Sequence, residues 1–123
     1  MVNSICILTA GKLLNIAATV FTLSWVHSVE KTQWQEEWEL RGDQLHIVSA
    51  RVKGSGAGMD PAEGSRLVDG WWVWAPPEQS VPELILAASG ATGSGWEFCV
   101  DDSCLTLGEE EADPVHIQVC KSE

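Results

Sequence analysis

The residues with the most obvious chemistry form the run His-Ser-Val-Glu-Lys-Thr at 27–32. An imidazole and a carboxylate three positions apart can shuttle a proton or hold a metal ion. Glu36 or Glu37, on the strand predicted to follow, would complete a metal-assisted hydrolase site with His27 and Glu30 around a metal-bound water. The alternative is a structural corner, in which the same polar groups bond to one another and to the backbone.

A glycine-rich segment at 54–59 is the second candidate, because consecutive backbone N–H groups in such turns can bind anions. A phosphate-binding loop needs Gly-Lys-Ser or Gly-Lys-Thr before a helix, whereas an Asp-Pro pair follows here. Arg51, Lys53 and Arg66 flank the segment, so capture of a carboxylate or another anion stays open. The simpler interpretation is a tight loop that uses positive backbone φ angles at Gly54, Gly56 and Gly58.

The run Asp-Gly-Trp-Trp-Val-Trp at 69–74 is the third candidate. On a strand, Trp72 and Trp74 share one face, and Trp71 and Val73 share the other. Trp71 is therefore covered by another element or belongs to an exposed aromatic surface. An exposed indole here would suit carbohydrate stacking or the docking of a partner.

Four cysteines offer two interpretations. Cys99 and Cys104 flank a four-residue link and would face each other across a hairpin, while Cys6 and Cys120 lie on the first and last predicted strands. Two disulfides, or inert buried thiols, follow from this placement. The set Cys99, Cys104, His116 and Cys120 also resembles the four ligands of a zinc site.

Charge and hydropathy exclude several classes of partner. Eighteen acidic against seven basic side chains give a formal charge of -11, which disfavours nucleic acid and anionic membranes. The stretch 13–26 is too polar and too short to span a membrane, and no basic leader precedes it. The even number of cysteines favours an oxidising compartment and the missing leader favours the cytoplasm, so the location stays open.

Alternating apolar and polar residues predict the strands that must position these groups. Polar residues at 33, 35, 37 and 39 make the segment 32–40 a strand, although the spacing of Trp34 and Trp38 would also suit a helix. The predicted strands span residues 5–9, 12–18, 21–27, 32–40, 44–53, 66–75, 83–88, 96–100, 104–107 and 115–120.

Short polar or glycine-bearing links separate these strands, which is typical of antiparallel hairpins between sequential neighbours. No segment has the helical periodicity that a parallel crossover requires. The sequence therefore predicts one all-β domain over residues 1–123, an antiparallel β-sandwich or flattened barrel. The 27–32 corner and the glycine-rich loop are expected to converge at one rim of it.

The motifs at 27–32, 54–59 and 69–72 resemble the bacterial domain-of-unknown-function family numbered eighteen-fifty. The resemblance implies a module that accompanies, or is fused to, permeases of TAXI-type TRAP transporters. Its partners would be the permease or the solute-binding subunit, or a small-molecule ligand, on the periplasmic side of the membrane. The motif match marks as binding positions His27, Ser28, Glu30, Thr32, Gly54, Gly56, Gly58, Asp69 and Trp71, with Gly70 between the last two.

The expected function is accordingly a non-enzymatic accessory module that binds a solute or a partner. The family resemblance supplies no catalytic residue, metal or cofactor. Two other functions compete with this expectation: the small metal-assisted hydrolase described above and a carbohydrate-binding module built on Trp71.

Overall fold

A computed structural model of the 123-residue chain describes residues 4–26, 32–53, 64–77, 79–88 and 95–120. These ranges hold twelve strands and no helix, hence no helix able to cross a membrane. The strands are β1 (Ile5–Thr9), β2 (Lys12–Ile16), β3 (Val20–Val26), β4 (Gln33–Arg41), β5 (Gln44–Lys53), β6 (Arg66–Val68), β7 (Trp71–Trp74), β8 (Ser80–Val81), β9 (Glu83–Leu86), β10 (Trp96–Val100), β11 (Ser103–Leu107) and β12 (Val115–Val119).

The strands form two antiparallel sheets. The smaller sheet has the order β2-β1-β12-β9, and the larger has the order β11-β10-β3-β4-β5-β7-β6, with β8 paired to β5. The two sheets make a sandwich and do not close into a barrel. The predicted all-β class and the sandwich are confirmed, and the flattened barrel is wrong.

The core lies between the sheets and follows the alternation of each strand. On β1, Ile5 and Ile7 are fully buried, and on β3 the buried residues are Phe21 and Leu23. These side chains pack with apolar residues of both sheets, among them Trp38, Leu45, Ile47, Leu86, Phe98, Leu107, Val115, Ile117 and Val119. Burial of these apolar side chains is what holds the two layers together.

The pairing of sequential neighbours is confirmed for five hairpins, such as β3 with β4 and β10 with β11. It is wrong for other contacts, because β12 lies between β1 and β9 and β10 pairs with β3. Strands from opposite ends of the chain must meet in this way to bury their apolar faces in one core.

The single strand predicted over 66–75 is also wrong. A turn at Asp69 and Gly70, with φ angles of 51° and 86°, divides it into the hairpin β6–β7. Positive φ at both central residues is the signature of the turn type that best joins twisted antiparallel strands. The Asp-Gly pair therefore makes a turn at positions that were expected to lie within one continuous strand.

One irregularity sets which side chains of β5 face outward. Glu37 pairs with Ser49, but the next residue, Trp38, pairs with Ile47, so Val48 is an extra residue in β5. This β-bulge moves the inward-facing positions from odd numbers to even ones. As a result, the residues of β5 beyond the bulge lie on the face opposite to the one that simple alternation would assign to them.

Several strand ends meet at one end of the larger sheet, here named the tryptophan end. The register pairs Val26 with Gln33, Trp34 with Val52, and Lys53 with Trp71. The ends of β3 and β5 and the starts of β4 and β7 thus lie side by side. This end presents an inner face toward the core side of the sandwich and an outer face on the opposite side.

Candidate binding surface at the tryptophan end

The inner face of the larger sheet carries six of the seven tryptophans. Directly paired residues of neighbouring strands share a face, so the register assigns all six to the side of Phe21 and Leu23. They are Trp25, Trp34, Trp38, Trp72, Trp74 and Trp96. Trp38 is buried in the core, and the other five are partly buried, so indole extends the apolar inner face toward the tryptophan end.

Four of these indoles form a continuous row across the sheet. Trp25 stacks on Trp34 with ring centres 6.3 Å apart and an interplanar angle of 8°, and Trp96 lies 5.1 Å from Trp25 on the other side. Trp34 meets Trp74 edge to face at 6.2 Å across the intervening strand β5. The β5 residues paired with these two indoles are small and buried: Val52 pairs with Trp34, and Ala50 pairs with Trp74.

Glu36 lies on the same inner face, between Leu23 and Ala50 in the register. Burial raises the pKa of this carboxyl, while a hydrogen bond of 3.0 Å donated by Trp38 Nε1 acts in the opposite direction. No ion pair among the described residues involves it. Glu36 is therefore a carboxyl held against indoles, and its neutral form is favoured more than in water.

The outer face at the same end is polar and is organised by a chain of side-chain contacts. Ser24 is buried and accepts a hydrogen bond of 3.1 Å from Gln35 Nε2. The Gln35 Oε1 atom in turn accepts a hydrogen bond from Arg51 Nε. This relay uses one nitrogen of Arg51 and holds its guanidinium over the indole of Trp71, 4.2 Å from the ring centre.

A second cation shares the same indole. Lys53 Nζ lies 5.3 Å from the ring centre of Trp71, and the backbone of Lys53 pairs with that of Trp71. Arg66 lies on the same face, because both Arg66 and Arg51 pair with Val73, one on each side of β7. We name Arg51, Lys53, Arg66 and Trp71 the cation–indole patch.

A shallow groove runs alongside this patch. It has a volume of about 230 Å³ and is lined by Thr22, Gln35, Glu37, Ser49, Arg51 and Val73. Hydroxyl, amide, carboxylate and guanidinium groups therefore face one open surface. Such a set can orient a ligand by hydrogen bonds and ion pairs.

The predicted site residues are divided by the limits of the described chain. His27, Ser28, Glu30, Gly54, Gly56 and Gly58 lie outside the described residues. Thr32 is buried just before β4, Asp69 is exposed in its turn, and Trp71 is partly buried on the outer face. The strand ends that lead into 27–31 and 54–63 lie at the same end of the sheet, while the convergence of the two motifs stays a prediction.

The structure bears on two of the metal sites that the sequence suggested, the hydrolase site with Glu36 or Glu37 and the four-ligand zinc site. Glu36 and Glu37 point to opposite faces, so only one of them could join any single site. The four-ligand zinc set is wrong, because Cys99 is bonded to Cys104 on the larger sheet, and the other two cysteines form a disulfide on the smaller one. The predicted pairings Cys6–Cys120 and Cys99–Cys104 are both confirmed.

The sequence interpretation missed the role of Arg51 and Lys53 in a patch with Trp71. It placed these cations only beside the glycine-rich loop, and uninterrupted alternation would put them on the face of Leu45 and Ile47. The bulge at Val48 reverses that assignment. A polar residue at position 49, followed by cations at 51 and 53, is the one signal that could have suggested it.

Residues 21–107 match the family model described as Domain of unknown function (DUF1850). The match spans most of the chain, which therefore belongs to this family. No match was found among curated proteins, and none among solved structures.

Proposed function

We propose that this chain is a non-enzymatic binding module, accessory to a TRAP-type transporter of the TAXI class, and that it binds its partner through the outer face at the tryptophan end. The observation that carries the proposal is the cation–indole patch. Arg51 and Lys53 both lie against Trp71, and Arg51 is oriented by Gln35 and Ser24. Because these charged groups are already ordered before a partner binds, the surface loses less entropy on binding.

The chemistry of this face supports recognition. Trp and Arg are the side chains most enriched among residues that dominate binding energy at protein interfaces. The described histidines are bonded elsewhere, His46 to Ser80 and His116 to Glu83, both away from the tryptophan end. The small metal-assisted hydrolase thus gains no support from the described residues and stays an untested alternative.

The shape of the surface favours a protein partner over a small solute. Pockets that bind small molecules enclose roughly 300–1,000 Å³ and bury most of the ligand. The groove beside the patch holds about 230 Å³ and is only partly enclosed. The guanidinium of Arg51 also lies over the ring of Trp71, so this contact competes with the stacking of a sugar there.

The two disulfides support a periplasmic location within this proposal. Disulfides form and persist in oxidising compartments and are rare in the cytoplasm. Among the described residues no cysteine is free. An accessory module of a periplasmic transport system would work under the conditions in which these bonds last.

Co-purification tests the proposal. The full chain is tagged and expressed with the permease and solute-binding subunits of a TAXI-type TRAP system, and co-elution is measured. We expect the transporter subunits to elute with the wild-type chain and with Lys12→Gln, a control at an exposed cation of the smaller sheet. The double variant Arg51→Gln with Trp71→Ala should lose them while it stays folded. Co-elution that is absent for the wild type, or unchanged in the double variant, would contradict the proposal.

A further inference from the structure

We infer that the cation–indole patch recognises an acidic segment of the partner protein, one that presents side-chain carboxylates to Arg51, Lys53 and Arg66. This inference rests on the proposed function, because it names the chemistry of the partner surface at the same site. It begins from an imbalance of charge. Three of the seven basic residues of a chain with charge -11 lie together on one face.

The three cations Arg51, Lys53 and Arg66 form no ion pair within the part of the chain that the structure describes. Two of them contact an indole ring, whose negative face attracts a cation but carries no net charge. The positive charge of the patch is therefore not neutralised within the described structure.

The geometry suits carboxylates. The relay from Ser24 through Gln35 uses Arg51 Nε, which leaves the terminal guanidinium nitrogens for a ligand. A guanidinium fork matches the two oxygens of a carboxylate, and such charge-assisted bonds are stronger than neutral ones. Trp71 and Val73 provide an apolar floor between the cations, on which the aliphatic part of a Glu side chain can pack.

The spacing points to a polypeptide. Arg51 and Arg66 flank β7 on either side, so their backbones lie roughly 10 Å apart across two strand intervals. One small anion cannot contact both at once without bending both side chains toward β7, whereas successive acidic residues of an extended segment can.

The charges on the rest of the outer face determine where the acidic segment lies. Glu37 lines the groove, and Glu97 pairs with Ser24 farther across the sheet, so the negative groups lie on the β4 and β10 side. An acidic segment is repelled there and attracted over β5, β7 and β6. The face is therefore polarised, and the carboxylates are expected over its positive half.

A peptide titration tests this inference separately from transporter binding. The purified full chain is titrated with a labelled decapeptide of alternating Glu and Ser, and with the same peptide in which Gln replaces Glu. We expect binding of the acidic peptide only, with affinity that falls as salt rises from about 50 to about 200 mM. Arg51→Gln with Lys53→Gln should weaken it about tenfold or more, and Lys12→Gln should not.

Two further measurements sharpen the result. Glu37→Gln removes a negative charge beside the patch and should strengthen binding of the acidic peptide, a change that loss of folding cannot imitate. Citrate at the same carboxylate concentration should compete poorly. Absence of peptide binding, equal loss in Lys12→Gln, or full competition by citrate would each overturn the inference. If the transporter subunits still co-elute in that case, the proposed function stands with a different recognition chemistry.

Discussion

The two faces of the larger sheet at the tryptophan end use the same residue type for opposite purposes. The inner face carries six indoles, four of which pack against one another while Trp38 lies in the core, and Glu36 is a carboxyl on the same face. On the outer face, a single indole, Trp71, lies under two cations and beside a polar groove. Tryptophan content alone therefore says little about function in this chain.

The neighbours of an indole determine its role in this sheet. Trp34 is surrounded by Trp25, Trp74 and Val52, so its large apolar area stabilises the fold. Trp71 is flanked by Lys53 and Val68 in the register, and the cations beside it form no ion pair with any residue that the structure describes. The inner face should respond to substitution with a loss of stability, and the outer face with a loss of binding.

Removal of a disulfide should change the free energy of unfolding most, and the disulfide of the smaller sheet, which packs on the inner face, should matter more. Cys6–Cys120 spans 114 residues and ties the two chain ends within the smaller sheet, whereas Cys99–Cys104 spans five residues in one hairpin. In the chain-entropy model the first bond contributes about 5 kcal/mol and the second about 2 kcal/mol. Urea unfolding of Cys6→Ser/Cys120→Ser and of Cys99→Ser/Cys104→Ser measures both, and equal losses would contradict this ranking.

The next effect contrasts two indoles directly. Trp34→Ala should lower the free energy of unfolding by about 3 kcal/mol, because it removes a ring packed against two others and over β5. Trp71→Ala should lower it by less than about 1 kcal/mol, the scale of a cation–π contact near the surface. Chemical denaturation of the two variants checks the contrast, and a larger loss for Trp71→Ala would break it.

A smaller stability effect is expected from the cations of the outer face. Arg51→Gln and Lys53→Gln should each change the free energy of unfolding by no more than about 1 kcal/mol, since the removed contacts are near the surface. The same variants should reduce binding of the acidic peptide. A loss of stability comparable to that of Trp34→Ala would mean that the patch is part of the folding core.

The smallest effect expected is a pH dependence of the free energy of unfolding that arises from Glu36 on the inner face. Burial raises the pKa of Glu36 above its ordinary value of 4.5, so its stabilising contribution is present below that value and is lost as pH rises through the folded pKa. Glu36→Gln should therefore gain stability relative to the wild type on going from about pH 4 to about pH 7. Trp38→Phe removes the hydrogen bond that lowers the pKa of Glu36, so stability should fall more steeply with rising pH in this variant than in the wild type. Parallel stability curves for wild type and Glu36→Gln would contradict this expectation.

Much of the fold could be predicted from local pattern. Period-two alternation placed β1, β5 and β10 with the bounds that the structure shows, and made the segment with Trp34 and Trp38 a strand. Hairpin geometry also predicted the pairing of Cys99 with Cys104. These features depend on neighbours within one strand or one turn, which the sequence displays directly.

The candidate site was less predictable. Asp69 and Trp71 were marked, but the relay from Ser24 through Gln35 to Arg51 joins three strands and has no signature in one segment. The two-residue strand β8 was missed because it is too short to show alternation. Contacts across strands depend on register, and register is set by how the strands pack together.

Local sequence pattern is enough to show that this chain forms strands, where most of them run, and which cysteines can pair. The outward orientation of Arg51 and Lys53 beside Trp71 depends instead on how the strands pack. The bulge at Val48 causes it, because a shift of one residue in the register sends every later side chain of β5 to the opposite face. Leu45 and Ile47 pack toward the smaller sheet, and the strands of that sheet come from distant parts of the chain, so no local pattern contains this information.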